Sequence, residues 1–292
     1  MTEMEDFSDA ALVVVGHGST VNADSGKPAR QHAEEIRRRG IFAEVRECFW
    51  KQDPPIREVM ASLRERRIFV APLFISEGYF SEQVVPRELG LSDGSPGPFA
   101  RTREIEGRMI YYTSPVGTHP AMTRVLLARA AEIVRQFPFP RAPRPADTSL
   151  FIAGHGTENN ASSRRAIEHQ AEEIRRMNLY ADVHAVFMEE EPRISDSHAL
   201  AGTRHMIVVP FFISDGLHSQ EDIPVLLGEA ESVVKARLQA GQPPWRNPAE
   251  KKGKLIWYTP SIGSERQIAD IILERVREAV AGGEAPCGAG SA

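Results

Sequence analysis

Cysteine is almost missing from this chain of 292 residues, which has only Cys48 and Cys287. One falls on a candidate buried strand and the other in a Gly/Ala-rich tail, so neither a disulfide framework nor a cysteine-held metal cluster is expected. No apolar run approaches the length a bilayer demands, and a membrane partner is not expected. The first nine residues are acidic and contain no apolar stretch like that of a secretory leader, which leads to a cytoplasmic expectation. A basic excess is lacking too. Lys and Arg number 35 against 40 Asp and Glu, for a net charge of −5, so a nucleic-acid partner is not expected. An anionic small molecule remains compatible, because local arginine clusters act against the global sign.

What is present is a repeat. Displaced by 138 positions, the run ending Val15-Gly16-His17-Gly18-Ser19 meets the run ending Ala153-Gly154-His155-Gly156-Thr157. Ala33-Glu34-Glu35-Ile36-Arg37-Arg38 recurs as Ala171-Glu172-Glu173-Ile174-Arg175-Arg176, and Pro72 to Gly78 recurs from Pro210 to Gly216. No gap is needed between Leu12 and Pro86. One fixed offset with two domain-sized copies signals a fused duplication. The partition read from it is an N-terminal half at 1–137, a linker at 138–147, a C-terminal half at 148–281 and a flexible tail at 282–292. The prolines around the linker (Pro138, Pro140, Pro143, Pro145) fix φ and remove donors, which makes it stiff.

Each copy alternates strand and helix. In the second, strands are predicted at 150–153, 181–187, 206–213 and 255–258, with helices at 162–177, 219–235 and 266–280. The first repeats the order and closes with a strand at 109–112 and a helix at 120–135. Such alternation implies an α/β fold: two tandem three-layer α/β/α halves, each with a mainly parallel four-stranded sheet, related by pseudo-two-fold symmetry. A pair fused in one chain satisfies itself internally, so a monomer containing a pseudo-dimer is expected.

Ligands of open parallel sheets bind at the carboxyl ends of the strands. In the second copy those ends carry Gly154-His155-Gly156, then Met188-Glu189-Glu190-Glu191-Pro192, then Ser214-Asp215-Gly216-Leu217-His218. Three loops on one edge thus offer a His, a carboxylate and a His. Two imidazoles and a carboxylate suit borderline divalent metals and leave coordination positions open for a substrate. His155, His218 and Glu189 are therefore the candidate catalytic and metal-binding residues, with Glu190 and Glu191 competing with Glu189 for the carboxylate role. In the first copy His17 is kept, but Lys51 stands at the Glu189 position and Phe80 at that of His218. That copy reads as a degenerate site. His32, His119, His169, His184, His198 and His205 read as surface or structural.

These segments, with Asn160 nearby and Asp222-Ile223-Pro224 after His218, resemble the CbiX/SirB-type sirohydrochlorin chelatases (class II chelatases) over nearly the whole chain. The resemblance implies a chelatase-like fold and insertion of Co2+, Fe2+ or Ni2+ into the tetrapyrrole sirohydrochlorin, in cobalamin or sirohaem biosynthesis, without ATP. It implies that His155 and His218 bind the incoming metal and help remove pyrrole protons, with Glu189 as ligand or base. The tetrapyrrole is rich in carboxylates, so Asn160, Ser163 and Arg164, close to the Gly-His-Gly loop, are candidates to hold it. With two cysteines, no iron–sulfur cluster is expected. A non-catalytic metal or tetrapyrrole carrier on the same fold is the alternative. A histidine phosphatase is disfavoured, because Gly154 stands where that chemistry wants an arginine beside the histidine.

Overall fold

The computed structural model describes residues 6–156 and 161–283. Its strands and helices follow the repeat. The first copy runs β1 (Ala10–Gly16), α1 (Lys27–Arg39), β2 (Glu44–Phe49), α2 (Ile56–Ser62), β3 (Arg67–Pro72), α3 (Val85–Glu88), β4 (Thr102–Ile105), β5 (Arg108–Tyr112) and α4 (Met122–Gln136). The second runs β6 (Thr148–Gly154), α5 (Ala161–Arg176), β7 (Asp182–Phe187), α6 (Ser197–Leu200), β8 (His205–Pro210), α7 (Ile223–Leu226), α8 (Glu231–Gln239), β9 (Ala249–Lys251), β10 (Lys254–Tyr258) and α9 (Gln267–Gly283). Among the described residues no helix is long and apolar enough to cross a membrane.

Both sheets have five strands, ordered β2-β1-β3-β5-β4 and β7-β6-β8-β10-β9. The central strands β1 and β6 are buried at every position, as a parallel strand covered on both faces must be. Four strands of each sheet are parallel, and the fifth corrects the four-stranded expectation. It is a short antiparallel edge, β4 on β5 and β9 on β10. Each edge hairpin turns through two residues of positive φ, Glu106-Gly107 (52° and 75°) and Lys252-Gly253 (48° and 76°), the mirror-image turn that matches strand twist. The short β4 and β9, with one apolar residue each (Ile105 and Ala249), show no apolar alternation, so their signal lies in the turns alone.

The predicted helix at 219–235 is also corrected. A π-helical turn at His218–Asp222 leads into α7, Gly228 at φ 98° ends that helix, and α8 starts afresh after extended Ala230. Proline at the start of α7 removes one donor, and the glycine supplies the left-handed stop.

The chain forms two compact units. Of the described residues, those up to His119 and from Arg266 onward make one, and Pro120–Glu265 makes the other. In the first unit α9 packs on β3, β5 and α1. In the second, α4 packs on β8, β10 and α5 through Val125, Leu126, Ala130 and Ile133. The units therefore group the elements differently from the partition at 137 and 148. Periodicity shows that α4 and α9 each need an apolar partner. It cannot say which of two homologous sheets supplies that partner. The proline-rich stretch then connects α4 to β6 inside the second unit, where the Trp257 indole N–H donates to the Phe137 carbonyl at 2.9 Å. Gly282 and Gly283 belong to α9, and the rest of the expected tail, with Cys287, lies outside the described residues. Cys48 is free and fully buried, and burial pushes its thiol far up, so it is an inert packing residue.

Candidate active site

The site grows from the end of β6. The Gly154 and His155 carbonyls both accept from Met188 N–H, at 3.1 and 3.0 Å, and the His155 carbonyl also accepts from Glu189 N–H at 3.2 Å. These bonds clamp the residue after β6 to the residues after β7, and they put Glu189 beside His155. Two glycines make the clamp sterically feasible. A Cβ on Gly154 would lie 2.0 Å from Ile167 Cδ1 of α5. Gly156 turns at φ 64°, and a Cβ there would lie 2.7 Å from Phe187 Cβ.

His218 arrives from the loop after β8, as the first residue of the π-helical turn. Its ring meets that of His155 edge to face, with centroids 4.8 Å apart and planes at 83°. Both imidazoles are bonded through Nδ1. His155 Nδ1 lies 3.0 Å from the Gly156 carbonyl, and His218 Nδ1 lies 2.8 Å from Asp222 Oδ2. Each partner is an acceptor only, so each Nδ1 carries the proton, and in the neutral ring each Nε2 keeps its lone pair. A carboxylate behind an imidazole also fixes the orientation of the ring. The turn beneath His218 is anchored from below. The buried Tyr258 hydroxyl donates to the Ser219 carbonyl at 2.5 Å, and burial pushes that phenol well above its ordinary range, so it remains a donor. Asp215 Oδ1 accepts from Ser261 N–H at 2.9 Å and from the Ser219 hydroxyl at 3.3 Å.

The three neighbouring glutamates separate by partner. Glu189 Oε2 lies 3.8 Å from His155 Nδ1, too far for a hydrogen bond but within electrostatic reach, and its side chain is 58% exposed. Glu190 accepts from Arg164 at 2.7 Å, and Glu191 accepts from Arg193 at 2.9 Å. Of the three, Glu189 is the one beside His155. It stands on the Nδ1 side of His155, and among the described residues no three His, Cys, Asp or Glu groups converge as a ready metal cage.

The candidate tetrapyrrole-holding residues fare differently. Arg164 is already shared between Glu190 and Glu168, whose carboxylates hold it charged, and its guanidinium stacks over Phe187. Ser163 sits half-buried in the first turn of α5. Asn160, like Thr157, lies outside the described residues. Asp222 is the residue that sequence reasoning passed over. Its signal was its spacing of four from His218, and the switch of both together to Phe80 and Val84 in the first copy.

The equivalent position in the first unit shows what was lost. His17 Nδ1 again bonds the next residue's carbonyl, Gly18, at 2.8 Å, and Lys51 N–H again donates to the His17 carbonyl. The ring packed against His17, however, is Phe80, edge to face at 4.3 Å. The backbone frame is kept while the second imidazole, its carboxylate and the neighbouring glutamate are replaced. Of the other histidines, His32 and His119 are buried, and His184 stacks on Phe151.

Comparison with known proteins agrees with this frame. The family model described as CbiX matches residues 11–133 and again 149–279. A probable sirohydrochlorin cobaltochelatase of Halobacterium salinarum is 41% identical over 279 residues, covering 92% of this chain and 91% of the relative. The sirohydrochlorin cobaltochelatase of Methanopyrus kandleri is 26% identical over 152 residues, 45% of this chain and 96% of its own. Among solved structures, a multi-domain protein of Deinococcus radiodurans with structural similarity to chelatases superposes with a TM-score of 0.74 at 28% identity. That match covers 92% of this chain but 55% of the other, which has two additional domains. SirB from Bacillus subtilis, solved with Fe3+, gives a TM-score of 0.66 at 18% identity over 94% of this chain and 97% of its own, a likeness of fold.

Proposed function

The chain belongs to the CbiX family, and on that premise we propose that it inserts a divalent metal into sirohydrochlorin, with Co2+ or Fe2+ as the metal and Ni2+ as a third candidate. The observation that carries the proposal is the pair of edge-to-face imidazoles, His155 and His218, each with Nδ1 bound to an acceptor. That arrangement offers two Nε2 lone pairs to one borderline metal and leaves its remaining positions open.

The reaction exchanges one M2+ for the two N–H protons of the macrocycle, so the site must supply metal and accept protons. His155 and His218 hold the metal loosely, since two neutral nitrogens bind less firmly than a closed cage and the ion must be surrendered. Of the two departing protons, Glu189 takes one and an imidazole Nε2 freed as the metal moves into the macrocycle takes the other, and both pass on to water, to which the exposed Glu189 carboxylate is open. Asp222 acts through His218 as a positioning residue, fixing the ring and its tautomer. No step calls for ATP or for an iron–sulfur cluster. The first copy, with Phe80 and Lys51, contributes no comparable set.

Anaerobic spectrophotometry of sirohydrochlorin with Co2+, Fe2+ or Ni2+ tests this reading. The protein should accelerate the spectral change of metallation for at least one metal over the uncatalysed rate. Binding of the tetrapyrrole with no acceleration for any metal would refute insertion and favour a carrier.

A further inference from the structure

We propose that Arg237 and Arg246 form a subsite for the carboxylate rim of the tetrapyrrole, in a cavity walled by a segment that the second copy adds. The assignment rests on the chelatase reading and deepens it.

The two copies stay in register at an offset of 138 through Phe80 and His218, but Tyr112 and Tyr258 stand 146 apart. The extra residues of the second copy fall where α8 and the stretch to Asn247 are found. This added segment encloses a cavity of about 760 Å³ at the carboxyl end of β10. Its apolar lining includes Phe137, Pro243, Trp245 and Tyr258. The wall is built and held. Asn247 pairs with the Tyr258 backbone in both directions at 2.7 Å, and the buried Trp245 donates its indole N–H to the Ile256 carbonyl at 3.3 Å.

Arg237 and Arg246 stand on this lining, and among the described residues neither guanidinium has an acidic or hydrogen-bonding partner. The contrast with Arg164, Arg175 and Arg193, each bound to carboxylates, is direct. The lining has one carboxylate, Asp215, which is already taken by Ser261 N–H and the Ser219 hydroxyl. A cavity with an apolar floor and two unspent guanidinium groups suits a flat, apolar ligand edged with carboxylates.

The cavity also shares an element with the imidazole pair. Ser219 and Gln220 line it, and both belong to the π-helical turn that begins at His218. Tyr258, on the cavity wall, holds the Ser219 carbonyl. One turn therefore carries His218 and also bounds the arginine cavity. In this proposal a macrocycle centred on His155 and His218 extends its rim toward the arginines along that shared turn. This gives the second copy a substrate-orienting part that the first lacks, in addition to its metal-binding residues.

The test is the Arg237→Gln/Arg246→Gln double variant of the full chain, with metal-free sirohydrochlorin as the probe. At about tenfold per charge-assisted contact, Kd by optical titration and KM for the tetrapyrrole should rise about a hundredfold together. The KM for metal should stay at the wild-type value, and kcat should fall far less than KM rises. The Arg→Lys pair, which restores charge without the planar fork, should recover part of the loss. The fully esterified tetrapyrrole should bind wild type and double variant alike. Unchanged Kd and KM in a double variant whose wild-type parent turns over would overturn the subsite while leaving the chelatase reading intact. A wild-type protein that neither binds nor metallates sirohydrochlorin would overturn the chelatase reading, and the subsite with it.

Discussion

Replacing Asp222 with Asn removes a charge and almost no volume. In the native turn the carboxylate accepts the His218 Nδ1–H at 2.8 Å, which leaves Nε2 unprotonated. An asparagine either accepts the same proton more weakly or turns its NH2 toward Nδ1. The second choice drives the imidazole proton to Nε2, where it blocks the metal. Losing such an outer partner costs about 10–100-fold in metal affinity or activity. His218 and Asp222 are about half exposed, 46% and 48%, so solvent already weakens the pair. The low end is therefore expected: about tenfold in kcat/KM for the metal, equivalent to about 1.4 kcal/mol. The assay is the initial rate of Co2+ insertion against metal concentration, beside a thermal melt. Melting should hardly change, because both groups lie at the surface. A variant with native kcat/KM for the metal and a native melt would refute the argument that Asp222 sets the His218 tautomer.

Tyr258→Phe leaves the buried Ser219 carbonyl without its donor, which should cost about 1–3 kcal/mol of stability and slow insertion through the loosened His218 turn; a melt and a rate on one preparation check both. Gly156→Ala puts a Cβ at positive φ against Phe187, so a destabilisation of about 1–2 kcal/mol or more is expected from backbone strain, read as a lower unfolding midpoint in denaturant. His198 has its pKa lowered, by desolvation first and then by Lys252, so the unfolded chain binds its proton more readily than the folded one. Its contribution is therefore fully present above the ordinary histidine value of 6.5 and is lost as pH falls below it toward the lowered folded pKa. His198→Gln should flatten the decline of stability between pH 7.5 and pH 5.5, measured as urea midpoints, and an unaltered slope would contradict that assignment.

The repeat was legible because parallel strands write their burial as unbroken apolar runs. Val13 to Val15 and Phe151 to Ala153 announce β1 and β6 without help from tertiary context. The placement of the candidate residues was legible through topology, since strand ends share one edge and His155, Glu189 and His218 follow three of them. The arginine partners of Glu190 and Glu191 were not, because no spacing reveals the reach of Arg164 and Arg193. The exchange of α4 and α9 was hidden for a related reason. Both helices show the same amphipathic period, and either homologous sheet satisfies it. The edge strands β4 and β9 escaped because each is short and has a single apolar residue, Ile105 or Ala249, leaving only the turns Glu106-Gly107 and Lys252-Gly253 as a trace. Asp222 escaped because its role lies in orienting another side chain.

The claim that the second copy is the working half is tested most directly by comparing His155→Ala with His17→Ala, equivalent residues in equivalent backbone frames. Initial rates of metal insertion into sirohydrochlorin, measured anaerobically on folded protein, should be nearly abolished for His155→Ala and close to wild type for His17→Ala. Equal loss in the two variants would contradict the account.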